Sequence, residues 1–160
     1  MAINYLGVLR GAPQAVARIC GSPAYPNLHG TAQFYSAGCG VLVAVELWGL
    51  PAGQEPCAGR VFGLHIHSGE SCTGTAAEPF ANALGHYNPD GCPHPQHRGD
   101  LPPLFGCGGH AFQVVLTDRF RVQEVLGRTV IVHEQPDDFT TQPSGNAGAM
   151  IACGEIKRRC

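Results

Sequence analysis

Seven of the chain's eight histidines fall between positions 65 and 133, and imidazole is the commonest side-chain ligand for metal ions. His65 and His67 stand two apart in "GLHIH", so on a β-strand both rings leave the same face. The segment "GHYNPDGCPHPQHRGD" adds His86, His94, His97 and Asp100, and "TVIVHE" adds His133. Taken singly, each histidine is most simply a solvated or hydrogen-bonded side chain. The signal is their grouping with a carboxylate. Imidazoles suit Cu(II) and Zn(II), and a carboxylate among them suits zinc better than copper. Two ions follow naturally, one on His65, His67 and His133, the other on His94, His97 and Asp100. His86 lies between the sets, and an imidazole that has lost both ring protons can serve two ions at once. His110, in "CGGHAF", joins neither set and reads as a surface residue.

These residues need elements to aim them. In "RVFGLHIH" the aliphatic face is Phe62, Leu64 and Ile66, so His65 and His67 point away from the core. Further short runs recur at 15–20, 30–36, 40–50, 110–117, 128–134 and 148–156, each bounded by Gly, Pro, Asn or Asp. None has the length or period of a helix. With 22 Gly, 13 Pro and 14% charged residues, the chain reads as all-β, a sandwich or flattened barrel of seven to eight strands. On "VLVAVELW" the alternation puts Trp48 outside beside Glu46, as an isolated surface aromatic or as part of a subunit contact. Residues 68–109 show no period, and so long an irregular stretch is expected to be functional and tied down.

The 160 residues are most simply one domain, 1–160, with its core over about 15–156. A net charge of −2 gives no reason to expect nucleic acid or an anionic membrane as partner, and no apolar run approaches ~20 residues. The N-terminus lacks the features of a secretory signal, which by itself reads as cytoplasmic. Eight cysteines pull toward an oxidising compartment, and no C-x-x-C pair is among them. Disulfides and buried thiols both remain open at this level, as does compartment.

The blocks "GLHIH", "GHYNP", "HRGDLP", "GRTVIVHEQPDD" and "GNAGAMIACGEI" resemble, in order, those of the Cu,Zn superoxide dismutase family in its bacterial branch. The resemblance covers about residues 15–156. It implies a Greek-key β-sandwich or flattened eight-stranded barrel with long metal-binding and disulfide loops. It implies copper on His65, His67, His86 and His133, and zinc on His86, His94, His97 and Asp100. His86 is then the shared ligand and the catalytic proton carrier. Asp137 matches a carboxylate that bonds a copper ligand and a zinc ligand, here His65 and His94. Cys72 and Cys153 match the family's disulfide; apart from the resemblance, Cys57 and Cys92 both flank the metal-site segments and suggest a second bridge. The implied substrate is superoxide and the implied compartment periplasmic or secreted; the assembly to look for is a homodimer.

Two departures matter. Met150 stands where the family has a cationic side chain, usually arginine, that attracts and positions the anion. Reduced dismutase activity is therefore expected; the alternative is a copper-binding or copper-buffering protein with little turnover. His94 and His97 are three apart, closer than the family's spacing, so zinc is expected to be held less securely than copper.

Overall fold

The computed structural model describes residues 3–53, 55 and 60–159. Eight antiparallel strands form one sheet: β1 Ala15–Gly21, β2 His29–Ala37, β3 Gly40–Trp48, β4 Val61–His67, β5 Asp100–Phe105, β6 His110–Thr117, β7 Thr129–His133 and β8 Met150–Arg158. Their spatial order is β5-β4-β7-β8-β1-β2-β3-β6. Greek-key crossings therefore take the chain from β3 over to β4 and from β6 back to β7. The terminal strands β5 and β6 meet again, Gln113 Nε2 donating to Pro102 O at 3.0 Å, so the barrel is nearly closed.

Alternation builds the interior. Ala15, Ala17 and Ile19 of β1, Val41, Val43, Val45 and Leu47 of β3, and Phe62, Leu64 and Ile66 of β4 are buried in one cluster. Phe34 and Phe120 pack within it, ring centroids 6.4 Å apart. Every run read from the sequence as a strand is one. The eighth strand, β5, lies inside the stretch read as irregular. Its Pro102 and Pro103 hide it, because proline cannot donate to a ladder and is confined to edges and bulges. Both conditions hold, since β5 ends the sheet order and its register against β4 shifts between Phe62 and Leu64.

Two short helices also escape a periodicity reading, α1 Tyr5–Leu9 and α2 Val122–Val125. Asn4 Oδ1 caps α1, accepting from Gly7 N–H at 3.0 Å, and Val8 and Leu9 pack on Tyr35, Ala37 and Leu42 outside the sheet. Trp48 is 41% exposed but not isolated: the rings of His29 and His110 flank it at 5.8 and 5.3 Å. The His110 ring hydrogen-bonds Glu46 at 3.2 Å and stays at the surface.

β4 departs from ordinary alternation. Gly63, His65 and His67, on its outward face, are as buried as the aliphatic face. The two long loops lie over them. Residues 68–99 are pinned to β8 by the Cys72–Cys153 disulfide, and 134–149 fold over Gly63. A Cβ at Gly63 would come within 3.0 Å of Ala147 Cβ and 3.2 Å of His133 Cβ, so the close seating of that loop needs glycine. Of the second suggested pair, Cys92 is an unbridged thiol and Cys57 lies outside the described residues.

The disulfide spans 81 residues of chain. Replacing Cys72 and Cys153 together with alanine should therefore lower the unfolding free energy by about 4 kcal/mol. Denaturant unfolding checks this, and an unmoved midpoint would show that the bridge adds nothing to stability.

Candidate metal centre

The outward face of β4 supplies His65 and His67, the end of β7 supplies His133, and the loop after β4 brings His86 against them. The ring centroid of His86 lies 3.9 Å from His65 and 5.0 Å from His67. His67 Nε2 and His133 Nε2 are 3.2 Å apart. One donor atom from each of His65, His67, His86 and His133 fits within a 4.8 Å cluster. A second cluster of the same size takes His86, His94, His97 and Asp100. His86 Nδ1 lies 2.8 Å from Asp100 Oδ1, and His97 Nδ1 lies 3.4 Å from the same oxygen. The structure thus brings together every histidine and the aspartate singled out in the sequence as a ligand, and His86 stands in both clusters.

Four of the six rings are oriented by the nitrogen that faces away from their cluster. His67 Nδ1 donates to Leu84 O at 2.7 Å and His133 Nδ1 to Gly148 O at 3.1 Å. His65 Nε2 and His94 Nε2 donate to the two oxygens of Asp137, at 2.7 and 2.9 Å. Carbonyls and carboxylates only accept, so these nitrogens carry the hydrogens and the other nitrogen of each ring is a bare lone pair. Those lone pairs face inward. His65 Nδ1, His86 Nε2 and His94 Nδ1 are buried without a hydrogen-bond partner. His94 Nδ1 does approach Asp100 Oδ2, at 3.1 Å, without forming a hydrogen bond. Three orphaned acceptors facing two shared foci are what a pair of cations would satisfy. The donor sets fit copper on four nitrogens, and zinc on three nitrogens and a carboxylate.

Burial favours the neutral form of the three strand histidines. Burial lowers His65, pushes His67 well below its ordinary value, and brings His133 down to about 3. Burial raises Asp100, but the hydrogen bond from His86 leads the opposing contributions and the carboxyl ends up low. Asp137 is likewise raised by burial, and lowered further by its bonds from His65, Phe139 N–H and His94. His65, His67 and His133 are therefore neutral imidazoles and Asp100 an ionised carboxylate, the forms that ligate.

Several partners have no counterpart in a side-chain reading. The Leu84 and Gly148 carbonyls belong to backbone and carry no residue signal. Gln142 clamps His94 from both sides, its Oε1 accepting from His94 N–H at 2.9 Å and its Nε2 donating to His94 O at 2.7 Å. Arg119 donates to Pro95 O at 2.8 Å and His97 O at 2.9 Å, tying down the short segment between the two zinc-type histidines. Gly145 is at φ +67°, and a Cβ there would collide with Asp137 Oδ1.

A cleft of about 740 Å³ opens onto His67, His86 and His133. Met150 lies half-buried at its wall, packed against the buried cluster of Phe80, Ala83, Ile131 and Cys153. Among the described residues lining the cleft Glu78 is the one charged side chain besides the histidines, and no Lys or Arg is present.

The family model for copper/zinc superoxide dismutase matches residues 28–156. The chain is 36% identical over 144 residues to the Cu-Zn superoxide dismutase of Deinococcus radiodurans, covering 78% of this chain and 75% of that protein. It is 32% identical over 170 residues to the copper chaperone for superoxide dismutase of Mus musculus, covering 91% and 59%. The Cu/Zn superoxide dismutase from Brucella abortus superposes with a TM-score of 0.74 at 26% identity, over 89% of this chain and 99% of that one. A nearly closed Greek-key barrel with two histidine clusters sharing one ring thus has its sequence counterpart, and the chain belongs to the copper/zinc superoxide dismutase family.

Two outcomes follow from this geometry. An asparagine at 137 has one accepting oxygen and one donating amide, so it cannot take N–H groups from both His65 and His94. Asp137→Asn should weaken metal retention by about 10- to 100-fold. Competition with a chelator measures it, and unchanged affinity for both metals would refute the role. The second concerns metal-free protein. Unfolding returns His133 from about 3 to its ordinary 6.5, so between those values the unfolded chain binds more protons than the folded one. Stability should fall with falling pH across that window, by up to about 1.4 kcal/mol per pH unit for each imidazole so released. Thermal melts of the apoprotein from pH 7 to 4 test this, and a flat profile contradicts it.

Proposed function

We propose that this chain is a superoxide dismutase, converting superoxide to dioxygen and hydrogen peroxide at a copper–zinc centre. The observation that carries the reading is the shared His86, whose two ring nitrogens face the two donor clusters. Copper would be held by His65 Nδ1, His67 Nε2, His133 Nε2 and His86 Nε2. Zinc would be held by Nδ1 of His86, His94 and His97 with Asp100. When bound, copper supplies the alternating one-electron chemistry and zinc a fixed charge. His86 holds a proton at Nε2 in one half-cycle and yields it to the nascent peroxide in the other, while Asp100 keeps the ring in place through the Nδ1 side. His65, His67 and His133, locked by Asp137, Leu84 O and Gly148 O, keep their donor atoms fixed throughout.

Met150 qualifies the rate. A cleft without Lys or Arg among its described lining residues offers the incoming anion no preorganised positive charge. Turnover per copper is accordingly low, and a copper-holding role with little turnover is the second reading that this feature favours. A structural disulfide fits an oxidising compartment, so the protein acts outside the cytoplasm in this reading. A homodimer belongs to it as well, with the exposed Phe112 and Leu116 of β6 as apolar surface for the contact.

Superoxide decay measured on protein of known copper and zinc content tests both readings. Consumption of superoxide well above that of free copper, with one copper and one zinc per chain, is expected; one copper and no zinc would overturn the two-metal centre. Met150→Arg should raise the rate per copper on the order of 10²-fold. Equal rates for the two proteins, both near the diffusion limit, would remove Met150 from the account.

A further inference from the structure

Cys20, Cys72 and Cys153 line one cleft of about 620 Å³ on the outer side of β1 and β8. Cys20 stands directly opposite Cys153 in the antiparallel register, and residues so paired send their side chains to the same side of a sheet. The neighbouring inward positions are Ala17 and Ile19 on β1 and Ala152 and Ile156 on β8, so both cysteines face outward. Ser22 N–H donates to Ile151 O at 2.9 Å, which makes Cys20 and Cys153, two residues further along, a hydrogen-bonded pair. The Cα atoms of such a pair are about 5.5 Å apart. A disulfide accepts Cα separations of roughly 4.4–6.8 Å. Cys153 already bridges Cys72 across 5.6 Å, while Cys20 is an exposed free thiol with no part in the metal centre.

We propose that Cys20 is an exchange thiol for the Cys72–Cys153 disulfide. Its thiolate attacks Cys153 Sγ, the Cys20–Cys153 bond forms as the Cys72–Cys153 bond breaks, and Cys72 leaves as a thiolate. The proton lost by Cys20 passes to water and Cys72 takes one up. One disulfide and one thiol stand on each side, so no oxidant or reductant is consumed. Among the described lining residues of the same cleft, Arg18, Lys157, Arg158 and Arg159 stand against one carboxylate, Glu155, so negative charge moves between the sulfurs in a positive field.

The exchange unpins the 68–99 loop from the barrel. That loop packs Phe80 and Ala83 on Ile131 and offers Leu84 O to His67 Nδ1. Transfer of the bridge to Cys20 thus removes the tether behind one histidine of the copper-type cluster and couples disulfide position to metal retention.

Metal-loaded and metal-stripped protein, held near pH 8 without oxidant or added thiol, is quenched with N-ethylmaleimide, digested without reduction and mapped by mass spectrometry. A Cys20–Cys153 peptide with alkylated Cys72 is expected, enriched in the metal-stripped sample and absent from Cys20→Ser. Because Cys20 alone among the described free thiols lines the cleft of the bridge, this linkage should exceed any to Cys39, Cys92 or Cys107 by at least about tenfold. Recovery of the Cys72–Cys153 linkage alone in both samples overturns the proposal. So does a Cys20–Cys72 linkage, or equal scrambling among the other thiols.

Discussion

A single buried carboxylate ties the two halves of the metal centre together. Asp137 accepts from His65 on β4 and from His94 in the loop after it, 2.7 and 2.9 Å away, and itself sits in the loop after β7. Three chain segments meet at two oxygens. The bonds fix which nitrogen of each ring carries hydrogen, and hence which nitrogen can ligate. Neither donor cluster can shift without dragging the other. Local backbone serves the same end: Phe139 N–H donates to the carboxylate at 2.7 Å, and Gly145 leaves the space that any side chain would fill.

Burying so many imidazoles has a cost, and the fold meets it from outside the clusters. An unpaired polar group in the interior costs roughly 1–3 kcal/mol. His65 and His94 therefore spend one nitrogen on Asp137, His67 and His133 one on a backbone carbonyl, and their inward nitrogens are left to a cation. The loops that cover the rings have little hydrophobic core of their own. They are held instead by the Cys72–Cys153 bridge, by the two-sided Gln142 clamp on His94 and by Arg119 across the short histidine spacing. The barrel gives rigidity to His65, His67 and His133; the loops gain theirs from covalent and polar ties.

Much of this was legible in the residues, for definite physical reasons. Period-two alternation marked the strands, and the same parity put His65 and His67 on one face. It did not show that this face is buried, because burial there comes from loops that have no period. β5 was hidden by the very prolines that its edge position tolerates, and α1 and α2 are too short to repeat. The clustering of histidines implied two ions from side-chain chemistry alone. The Asp137 link and the Cys72–Cys153 pair came from likeness to a family, since nothing local ties positions so far apart. Leu84 and Gly148 act through carbonyls that every residue possesses, so no reading of side chains could have found them.

Holding the metals and attracting the anion are separable properties here. The first depends on lone pairs aimed by hydrogen bonds within a few ångströms, and every ligand it requires is in place. The second depends on the field in the cleft, which reaches about 8–10 Å at physiological salt and is set by residues that need not touch a ligand. Met150 alters only the second. Its thioether keeps the wall packed against Phe80 and Ile131, so the barrel and loop close as before, while the charge that would draw an anion toward His86 is missing. Fold and ligand set define the family; the charge at the cleft defines how fast the chemistry runs.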